Sequence, residues 1–529
     1  MLESDYIVVG AGSAGSVLAN RLSTANTVTL LEAGPVDHAW DFRLHMPAAL
    51  SEVLATDRYN WFYHTEPEPE MNNRSLYCPR GRVLGGSSSI NGMIYVRGNR
   101  QDFNRWANML GTTEWDYEHC LPYFQRAECS DVGDPAVRGK NGPLKVRRAA
   151  GDSPLYQAWL AAGQEAGYPK QIDLNGFDQE GVGLFDSTIH QGKRGSVART
   201  YLHPVMDRQN LQVVTGVMVT RILFEGDKAI GIETRHRGKT TQYRANKEVI
   251  ICAGAINSPQ LLMLSGIGDA ETLQKHGIDV KQHLPGVGQN LQDHLEIYVQ
   301  FSCLQPVSLY PALKWYRKPF IGMQWYFNQT GDGATNHFDA GGFLKSDDSQ
   351  PYPDLQCHFL PIAMDYDGKS KFAGHGFQVH VGPMKPTSRG SVTLRDAKPN
   401  SAPKIQFNYN QTEADKSVMR NGIEIVRNIV RQPAFSTLAG SEVRPNDMNI
   451  DEFIRQFGES AYHPSCTCAM GSVVDEQGRV FGVKNLRVID ASIMPEITNG
   501  NLNAPVVMMA EKLSDRILGH SPLAYPTKD

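Results

Sequence analysis

The stretch that most constrains this chain is DYIVVGAGSAGSVLANRLS, residues 5–23. It predicts a buried strand, a tight turn and a helix that starts near Ser13. Gly10, Gly12 and Gly15 form the pattern G-x-G-x-x-G, in which the glycines permit the turn, the approach of a pyrophosphate and close helix packing, respectively. The N–H groups and dipole at the start of such a helix favour phosphate binding. We therefore expect a dinucleotide site here.

The next apolar stretch, NTVTLLEAG, predicts a second strand that ends at Glu32, twenty residues after Gly12. A carboxylate at this distance accepts hydrogen bonds from a ribose diol and repels a 2′-phosphate. The motif alone does not separate NAD from FAD. Similar strand–turn stretches recur at 247–268 and 485–495, which indicates a nucleotide-binding domain interrupted by insertions.

Composition narrows the class of protein. With 529 residues the chain has room for roughly two to four domains. A formal net charge of −4 argues against a nucleic-acid partner, and eight scattered cysteines argue against a disulfide framework. No window approaches about 18 consecutive apolar residues, so we expect no transmembrane segment. These features predict a cytoplasmic protein and leave peripheral membrane association open.

Four further motifs carry a family resemblance. RGRVLGGSSSINGMIYVRGN (80–99) and GAINSPQLLMLSGIG (254–268) resemble the two signature stretches of the glucose–methanol–choline (GMC) oxidoreductase family. YHPSCTCAMG (462–471) and GNLNAP (500–505) resemble its active-site segments. The similarity runs from Tyr6 to beyond Pro505, nearly the whole chain. It implies an FAD-dependent enzyme that oxidises an alcohol.

The resemblance also implies the domain organisation. We expect a doubly wound α/β domain that binds FAD, interleaved with an α+β substrate domain built on an antiparallel sheet. The FAD domain would comprise 1–155, 205–300 and 455–529, and the substrate domain 156–204 and 301–454. The alternating stretches FQVHVGPM and GSVTLRD fit antiparallel strands of the second domain.

The resemblance implies cofactor contacts at the positions of this sequence that match the family's motifs. The matching residues are Gly10, Gly12, Gly15 and Glu32 for the ADP part, Gly85, Gly86, Ser87 and Asn91 for the loop along the pyrophosphate and flavin, Val219 for adenine, and Asp490 and Ala491 for the ribityl chain and flavin. Val219 could equally lie in a plain strand, and Asp490 could cap a helix. Some relatives attach FAD through a histidine at the position of Ile90, which cannot form that bond. The resemblance therefore implies non-covalent FAD.

The catalytic pair implied by the resemblance is His463 in YHP and Asn503 in GNLNAP. Oxidation of an alcohol by a flavin needs a base for the hydroxyl proton and a C–H bond aimed at flavin N5 for hydride transfer. An imidazole with a pKa near neutrality suits that proton transfer. Which of the two residues removes the proton is left open. The neighbouring Cys466 and Cys468 supply only a partial metal-ligand set, so we expect no metal and interpret them as packing residues.

For the substrate, the segment LQDHLE points to the choline-oxidising members of the family, which keep a glutamate at the position of Glu296. A trimethylammonium group has no N–H to donate, so its recognition depends on charge and aromatic faces. The implied substrate contacts are Glu296, His358, Trp61, Tyr462 and Phe359. Glu296 could instead be a solvated strand-edge acid, and Trp61 a core residue.

The expected reaction is oxidation of choline to betaine aldehyde, with a second oxidation to glycine betaine also considered. The absent histidine at position 90 favours a dehydrogenase that passes electrons to a quinone or another carrier. Two alternatives stay open, a dehydrogenase for aliphatic or aromatic primary alcohols and, more distantly, a cyanohydrin lyase in which FAD is structural.

Overall fold

The computed structural model describes residues 2–365 and 374–525. Two large sheets organise the chain. In chain order their strands are β1 (Leu2–Val9), β2 (Val28–Glu32), β3 (Lys170–Gln171), β4 (Gly181–Leu184), β5 (Leu211–Thr215), β6 (Met218–Glu225), β7 (Lys228–His236), β8 (Lys239–Ile251), β9 (Leu295–Cys303), β10 (Ala340–Leu344), β11 (Leu355–Leu360), β12 (Gly376–Pro383), β13 (Ala439–Arg444), β14 (Glu459–Ser460) and β15 (Leu486–Val488).

Helices connect and cover these sheets. They are α1 (Ser13–Leu22), α2 (Phe42–His45), α3 (Leu50–Leu54), α4 (Arg100–Leu110), α5 (Tyr117–Ala127), α6 (Pro154–Glu165), α7 (Gly254–Leu264), α8 (Ala270–Lys275), α9 (Lys318–Asn328), α10 (Glu413–Val430), α11 (Ile450–Phe457) and α12 (Asn503–Leu518). A smaller four-stranded sheet is formed by Ile94–Tyr95, Asp186–Ser187, Leu144–Arg148 and Glu128–Ser130. Short strand pairs join Tyr63–His64 to Tyr77–Cys78, Ile189–His190 to Lys193–Arg194, Ile267–Gly268 to Gln282–His283 and Ser391–Thr393 to Lys404–Gln406.

The first large sheet has the order β5-β2-β1-β8-β7-β6, and β15 pairs with β8. Its strands β5, β2, β1, β8 and β15 run parallel, whereas β6 and β7 form an antiparallel extension. All five residues of β2 and all three of β15 are buried, as expected for parallel strands covered on both faces. Parallel strands bring their carboxyl ends to one edge of the sheet, which is where ligands bind in open α/β sheets. The three recurring strand–turn motifs therefore meet at one edge.

Helix α1 lies unusually close to this sheet because of Gly15. A Cβ atom at Gly15 would be 1.9 Å from the carbonyl oxygen of Gly10, so any larger residue would push the helix away. The buried helix α12 packs beside α1, and Arg21 of α1 forms a 2.7 Å salt bridge with Glu511 of α12. This salt bridge helps to fix the two helices relative to each other.

The second large sheet has the order β13-β9-β12-β11-β10-β4-β3, and β14 pairs with β9. Its pairs are antiparallel except β3 with β4. The amphipathic helix α10 covers one face, where Gly422 lets it approach the side chain of Val381 on β12. In the register of β11 and β12, Phe359 pairs with Val379 and His358 pairs with His380. Alternate residues therefore face α10 or the opposite side.

This architecture confirms the expected fold class. One expected domain boundary needs adjustment, because the division at residue 300 falls inside β9, which starts at Leu295 and belongs to the antiparallel sheet. β14, assigned above to the FAD domain, also pairs with that strand. Among residues 2–365 and 374–525, none of the helices combines the length and apolar character that crossing a membrane requires.

Candidate active site

One continuous cavity of about 1080 Å³ lies between the two large sheets. At one end it is lined by Gly10, Gly12 and Glu32, at the carboxyl edge of the parallel sheet. At the other end it reaches Glu296 and His380 on the antiparallel sheet. The motifs at the start, middle and end of the chain thus contribute to a single site.

The dinucleotide end of the cavity is built from backbone. Because the residue before α1 is Gly12, the first N–H groups of that helix receive no cap from a side chain at that position. A Cβ at Gly12 would meet only the Cα of Gly86, at 3.9 Å, so the space in front of it belongs to the cavity. Gly86, with φ of +53°, packs its own backbone against Gly12. This arrangement fits the close approach of a pyrophosphate.

Glu32 stands at the end of β2 with its carboxylate inside the protein. Its oxygens accept hydrogen bonds from the backbone N–H groups of Ala11, at 2.9 Å, and Gly34, at 2.8 Å. Burial raises the pKa of Glu32 to about 7. The carboxylate therefore holds the glycine turn in place and also lines the cavity, where it can accept hydrogen bonds from a ribose diol.

Two segments from distant parts of the chain complete this end. Asp490 accepts hydrogen bonds from the Gly254 backbone at 2.9 Å and the Ser258 hydroxyl at 2.6 Å, which ties the start of α7 to the segment after β15. Asp490 also caps a short 3₁₀ turn by accepting a hydrogen bond from the backbone N–H of Ser492, which is the capping role considered above. Asp490, Ala491 and Val219 all line the cavity.

The start of α12 also faces the cavity. Its first residue, Asn503, accepts a 2.7 Å hydrogen bond from the hydroxyl of Ser13 at the start of α1. Two helix N-termini with their positive dipole ends therefore flank the same region. Together with the glycine turn and Glu32, these donors and acceptors fit a dinucleotide such as FAD, which carries a pyrophosphate and a ribose diol at one end.

His463 lies at the junction between the two ends of the cavity. Its Nδ1 is 3.1 Å from Nδ1 of His294, and its Nε2 is 3.1 Å from the side-chain nitrogen of Asn501. The backbone N–H of His463 donates a 2.6 Å hydrogen bond to Asp293, which fixes the position of the loop. Burial, reinforced by the neighbouring His294, lowers the pKa of His463 well below its usual value. The imidazole is therefore neutral at physiological pH.

The hydrogen bonds of Asn501 indicate which nitrogen of His463 is unprotonated. The side-chain oxygen of Asn501 lies 3.4 Å from the Nε2 group of Gln356, which donates to it. Its side-chain N–H group is thus left to donate to His463 Nε2. His463 Nε2 is then unprotonated, its lone pair accepts the hydrogen bond from Asn501, and the side chain lines the cavity.

The opposite wall of the cavity consists of side chains on one face of the antiparallel sheet. They are Glu296 and Tyr298 on β9, His358 and Leu360 on β11, and Gln378 and His380 on β12. The Tyr298 ring stacks on the His380 ring with centroids 3.6 Å apart, and His380 Nδ1 is 3.4 Å from the Glu296 carboxylate. Burial lowers the pKa of His358 to about 4.

Aromatic side chains add to this wall. Trp61 lines the cavity and stacks on Tyr63 with centroids 5.8 Å apart, so it is a half-buried wall residue and not a core tryptophan. Tyr462 also lines the cavity, and burial followed by the charges of Glu459 and Glu296 raises its pKa well above 10. A carboxylate and two aromatic side chains therefore line the same cavity as His463.

Sequence models of GMC oxidoreductases match residues 4–296 and 386–510, most of the chain. The chain belongs to the GMC oxidoreductase family. Curated relatives of this GMC oxidoreductase include the oxygen-dependent choline dehydrogenases of Yersinia pseudotuberculosis serotype O:1b (strain IP 31758) and Staphylococcus xylosus. The first is 52% identical over 99% of this chain and 95% of the relative, and the second is 51% identical over 98% and 95%.

Solved structures give the same fold. The crystal structure of pyridoxine 4-oxidase from Mesorbium loti matches with a TM-score of 0.89 and 31% identity over 98% of this chain and 99% of that one. Formate oxidase, 24% identical, matches with a TM-score of 0.91 over 98% of both chains, which concerns the fold alone. The GMC oxidoreductase described here is accordingly an FAD-dependent enzyme that acts on CH–OH donors.

The structure changes the expected partner of His463. We expected Asn503, but the amide beside His463 is that of Asn501, and Asn503 contacts Ser13 of α1. Both residues lie in GNLNAP, and both line the cavity. Pro505 could have indicated the difference, since proline favours the first turn of a helix and so predicts that α12 starts near Asn503. Asn501 then precedes the helix.

Phe359 is the second correction. Together with Val379 it lies on the face of the sheet that α10 covers, and it contacts the rings of Tyr156, Trp159 and Phe377 in the core of the substrate domain. Its neighbour His358 faces the cavity. Since side chains alternate along a strand, His358 and Phe359 cannot both line one wall.

The remaining expected residues fall into two groups. Gly12, Gly86, Ser87, Asn91 and Ile90 line the cavity. Gly15 and Gly85 support the walls of the cavity. Gly15 allows close packing of α1, and the N–H of Gly85 donates a 2.8 Å hydrogen bond to the carbonyl of Ala11. Cys466 and Cys468 are buried free thiols in the core, and burial raises the pKa of Cys466 to about 12.

The sequence interpretation did not identify His294, Gln378 and His380. The spacing of His294 and Glu296 in LQDHLE gave a signal for the first, because residues two apart on a strand share a face. For Gln378 and His380 the signal lay in FQVHVGPM, where polar residues alternate with apolar ones. This pattern predicted the strand but not what its polar face lines.

Proposed function

We propose that this enzyme oxidises choline to betaine aldehyde. The observation that carries the proposal is the Glu296 carboxylate, which lines the same cavity as the side chains of Trp61, Tyr462 and His463. The relatives named choline dehydrogenase, 52% identical over nearly the whole chain, support the same substrate.

A trimethylammonium group needs this kind of surroundings. It donates no conventional hydrogen bond, so a carboxylate and aromatic ring faces supply its attraction. A neutral alcohol of the same shape gains nothing from the carboxylate and leaves it desolvated. Glu296 therefore favours a cationic alcohol over its uncharged isostere.

His463 and Asn501 form the active-site pair of the proposal. His463 Nε2 accepts the hydroxyl proton when the substrate displaces the Asn501 N–H from it, since the lowered pKa keeps the imidazole neutral and the side chain lines the cavity. Asn501 and His358 orient the substrate oxygen, because both present polar side-chain atoms beside His463. Bound FAD, held by the glycine turn, Glu32 and the Gly86 loop, supplies the hydride acceptor at flavin N5.

A second oxidation, from the aldehyde hydrate to glycine betaine, uses the same groups. The hydrate is again an alcohol that carries a hydroxyl proton, a C–H bond and the same cationic head. Glu296 and His463 therefore bind and deprotonate it in the same way as choline.

FAD binding is proposed to be non-covalent. The side chain at the position where some relatives carry a histidine is Ile90, which lines the cavity and has no nucleophilic atom. Denaturing the purified protein should release all flavin into the supernatant. Flavin that stays with the precipitated protein would contradict this part of the proposal.

The electron acceptor is proposed to be a quinone or another carrier, met at a membrane surface. The segment around α9 exposes large aromatic side chains, with Trp315, Phe320 and Phe327 exposed to 81%, 64% and 74%. Such residues, near Arg317 and Lys318, suit the interface of a membrane with anionic lipids. Reduction of a soluble quinone analogue should exceed oxygen consumption, and the protein should float with anionic vesicles. Faster oxygen consumption would contradict the acceptor.

The experiment that tests the substrate is anaerobic reduction of the flavin. Choline should bleach the oxidised flavin spectrum at far lower concentration than 3,3-dimethylbutan-1-ol, its uncharged isostere. The E296Q variant should lose this preference while still reducing with the neutral alcohol. Equal response to the two alcohols in the wild type would instead favour a general primary-alcohol dehydrogenase, and no bleaching by any alcohol would favour a lyase.

A further inference from the structure

Beside Glu296 lies a chain of buried polar side chains that the reaction does not use directly. Gln300, Gln378 and His380 are exposed to 5% or less and occupy facing positions on β9 and β12, where Gln300 pairs with Gln378 and Tyr298 pairs with His380. Buried polar groups are costly unless satisfied, so such a chain needs a reason within the fold or the site.

The orientation of the Gln378 amide is fixed by its neighbours. Its oxygen accepts hydrogen bonds from the Met364 backbone N–H and from the Gln300 side chain, both at 2.9 Å. If the Gln378 amide were rotated by about 180°, its NH₂ group would face the N–H groups of Met364 and Gln300, and no hydrogen bond could form. The Gln378 nitrogen therefore points at His380 Nε2, 2.8 Å away.

This orientation determines where His380 carries its proton. Because Gln378 donates to Nε2, that nitrogen is an acceptor and the imidazole proton is on Nδ1. Nδ1 is the atom 3.4 Å from the Glu296 carboxylate, and the ring is clamped by stacking on Tyr298. The imidazole proton therefore lies on the nitrogen that is 3.4 Å from the Glu296 carboxylate.

Building on the proposed function, we propose that His380 is a positioning residue that sets the preference for a cationic alcohol. Gln378 selects its Nδ1–H tautomer, and that N–H holds the Glu296 carboxylate toward the cavity without adding a positive charge that would compete with the substrate.

Two substitutions at one position test the proposal. An asparagine side chain places its nitrogen where His380 has Nδ1, whereas a glutamine places its polar atoms near Nε2. H380N should keep the Michaelis constants for choline and 3,3-dimethylbutan-1-ol within about threefold of the wild type. H380Q should raise the Michaelis constant for choline by about tenfold or more while kcat and the constant for the neutral isostere change little.

The outcomes separate this inference from the proposed function. If H380Q raises both Michaelis constants equally, or leaves the choline constant unchanged, or if H380N is as damaging as H380Q, His380 does not set the preference and the inference is wrong. If the wild type itself shows no preference for choline over the isostere, the proposed function fails first. Flavin content and melting temperature of both variants show whether they fold as holoenzymes.

Discussion

The two ends of the active-site cavity are built by different means. The dinucleotide end is formed by backbone at Gly12 and Gly86 and by the starts of α1 and α12, so it depends on the absence of side chains. The substrate end is formed by side chains such as Glu296 and His358, which project from alternate positions of antiparallel strands. The first end is sensitive to an added Cβ atom, and the second to which face of a strand a residue occupies.

The largest expected effect concerns the backbone end. G12A should bind FAD at least about a hundredfold more weakly, because the added methyl group meets mainly cavity space where the cofactor lies. Its apo-form should melt close to the wild-type apo-form. Flavin content and thermal melting check this.

G15A is the matched control for that variant. Its Cβ would lie 1.9 Å from the Gly10 carbonyl oxygen, so it should destabilise the protein itself and lower the melting temperature of the apo-form. If G12A keeps its flavin, or destabilises the apo-form as much as G15A does, FAD does not bind against the backbone of Gly12.

The next effect distinguishes two residues of GNLNAP. N501A should lower kcat about ten- to a hundredfold with full flavin content, because it removes the donor 3.1 Å from His463 Nε2. N503A should keep kcat within about threefold, since its side chain contacts Ser13 at the start of α1. Steady-state kinetics on flavin-saturated enzyme check both. The reverse ranking would restore Asn503 as the partner of His463.

A smaller effect concerns the pH dependence of stability at the substrate end. The pKa of His358 is about 4 when folded and near 6.5 when unfolded, so the unfolded chain binds more protons between these values. The stability that neutral His358 allows is present above pH 6.5 and is lost as pH falls toward 4, by up to about 3 kcal/mol. H358Q should remove that loss. Denaturant titrations at pH 7.5 and 4.5 compare the two proteins.

Other groups act in the opposite direction, which is why the comparison with H358Q is needed. The raised pKa values of Asp293, about 6, and Glu32, about 7, add stability as pH falls. They are common to both proteins and cancel in the difference. An equal pH dependence of wild type and H358Q would mean that folding does not lower the pKa of His358.

The smallest effect tests whether successive side chains of β11 point to opposite faces of the sheet. F359L should lower the free energy of unfolding by about 1 kcal/mol, because it shrinks a side chain packed among Tyr156, Trp159 and Phe377. The Michaelis constant for the alcohol should stay unchanged, since the side chain packs against α6 on the face of the sheet away from the cavity. A raised Michaelis constant at unaltered stability would place Phe359 at the cavity after all.

Much of the fold and the dinucleotide end could be predicted from the sequence. The glycine pattern, the acid twenty residues later and the small-residue loop at 85–89 report local backbone requirements, and a local requirement is visible in a short stretch. The family resemblance added the order of the domains. The resemblance also implied His463, Glu296 and Trp61, and all three line the cavity.

Only the tertiary structure decided which side chains meet across elements. Asn501 and Asn503 are two residues apart, yet the start of α12 directs one to His463 and the other to Ser13. His358 and Phe359 are adjacent, yet the pleat of β11 sends one to the cavity and the other to the core. The proton position of His380 follows from donors on three separate segments. A sequence motif specifies its own backbone, whereas the partner of a side chain is set by the register and packing of residues far away in the chain.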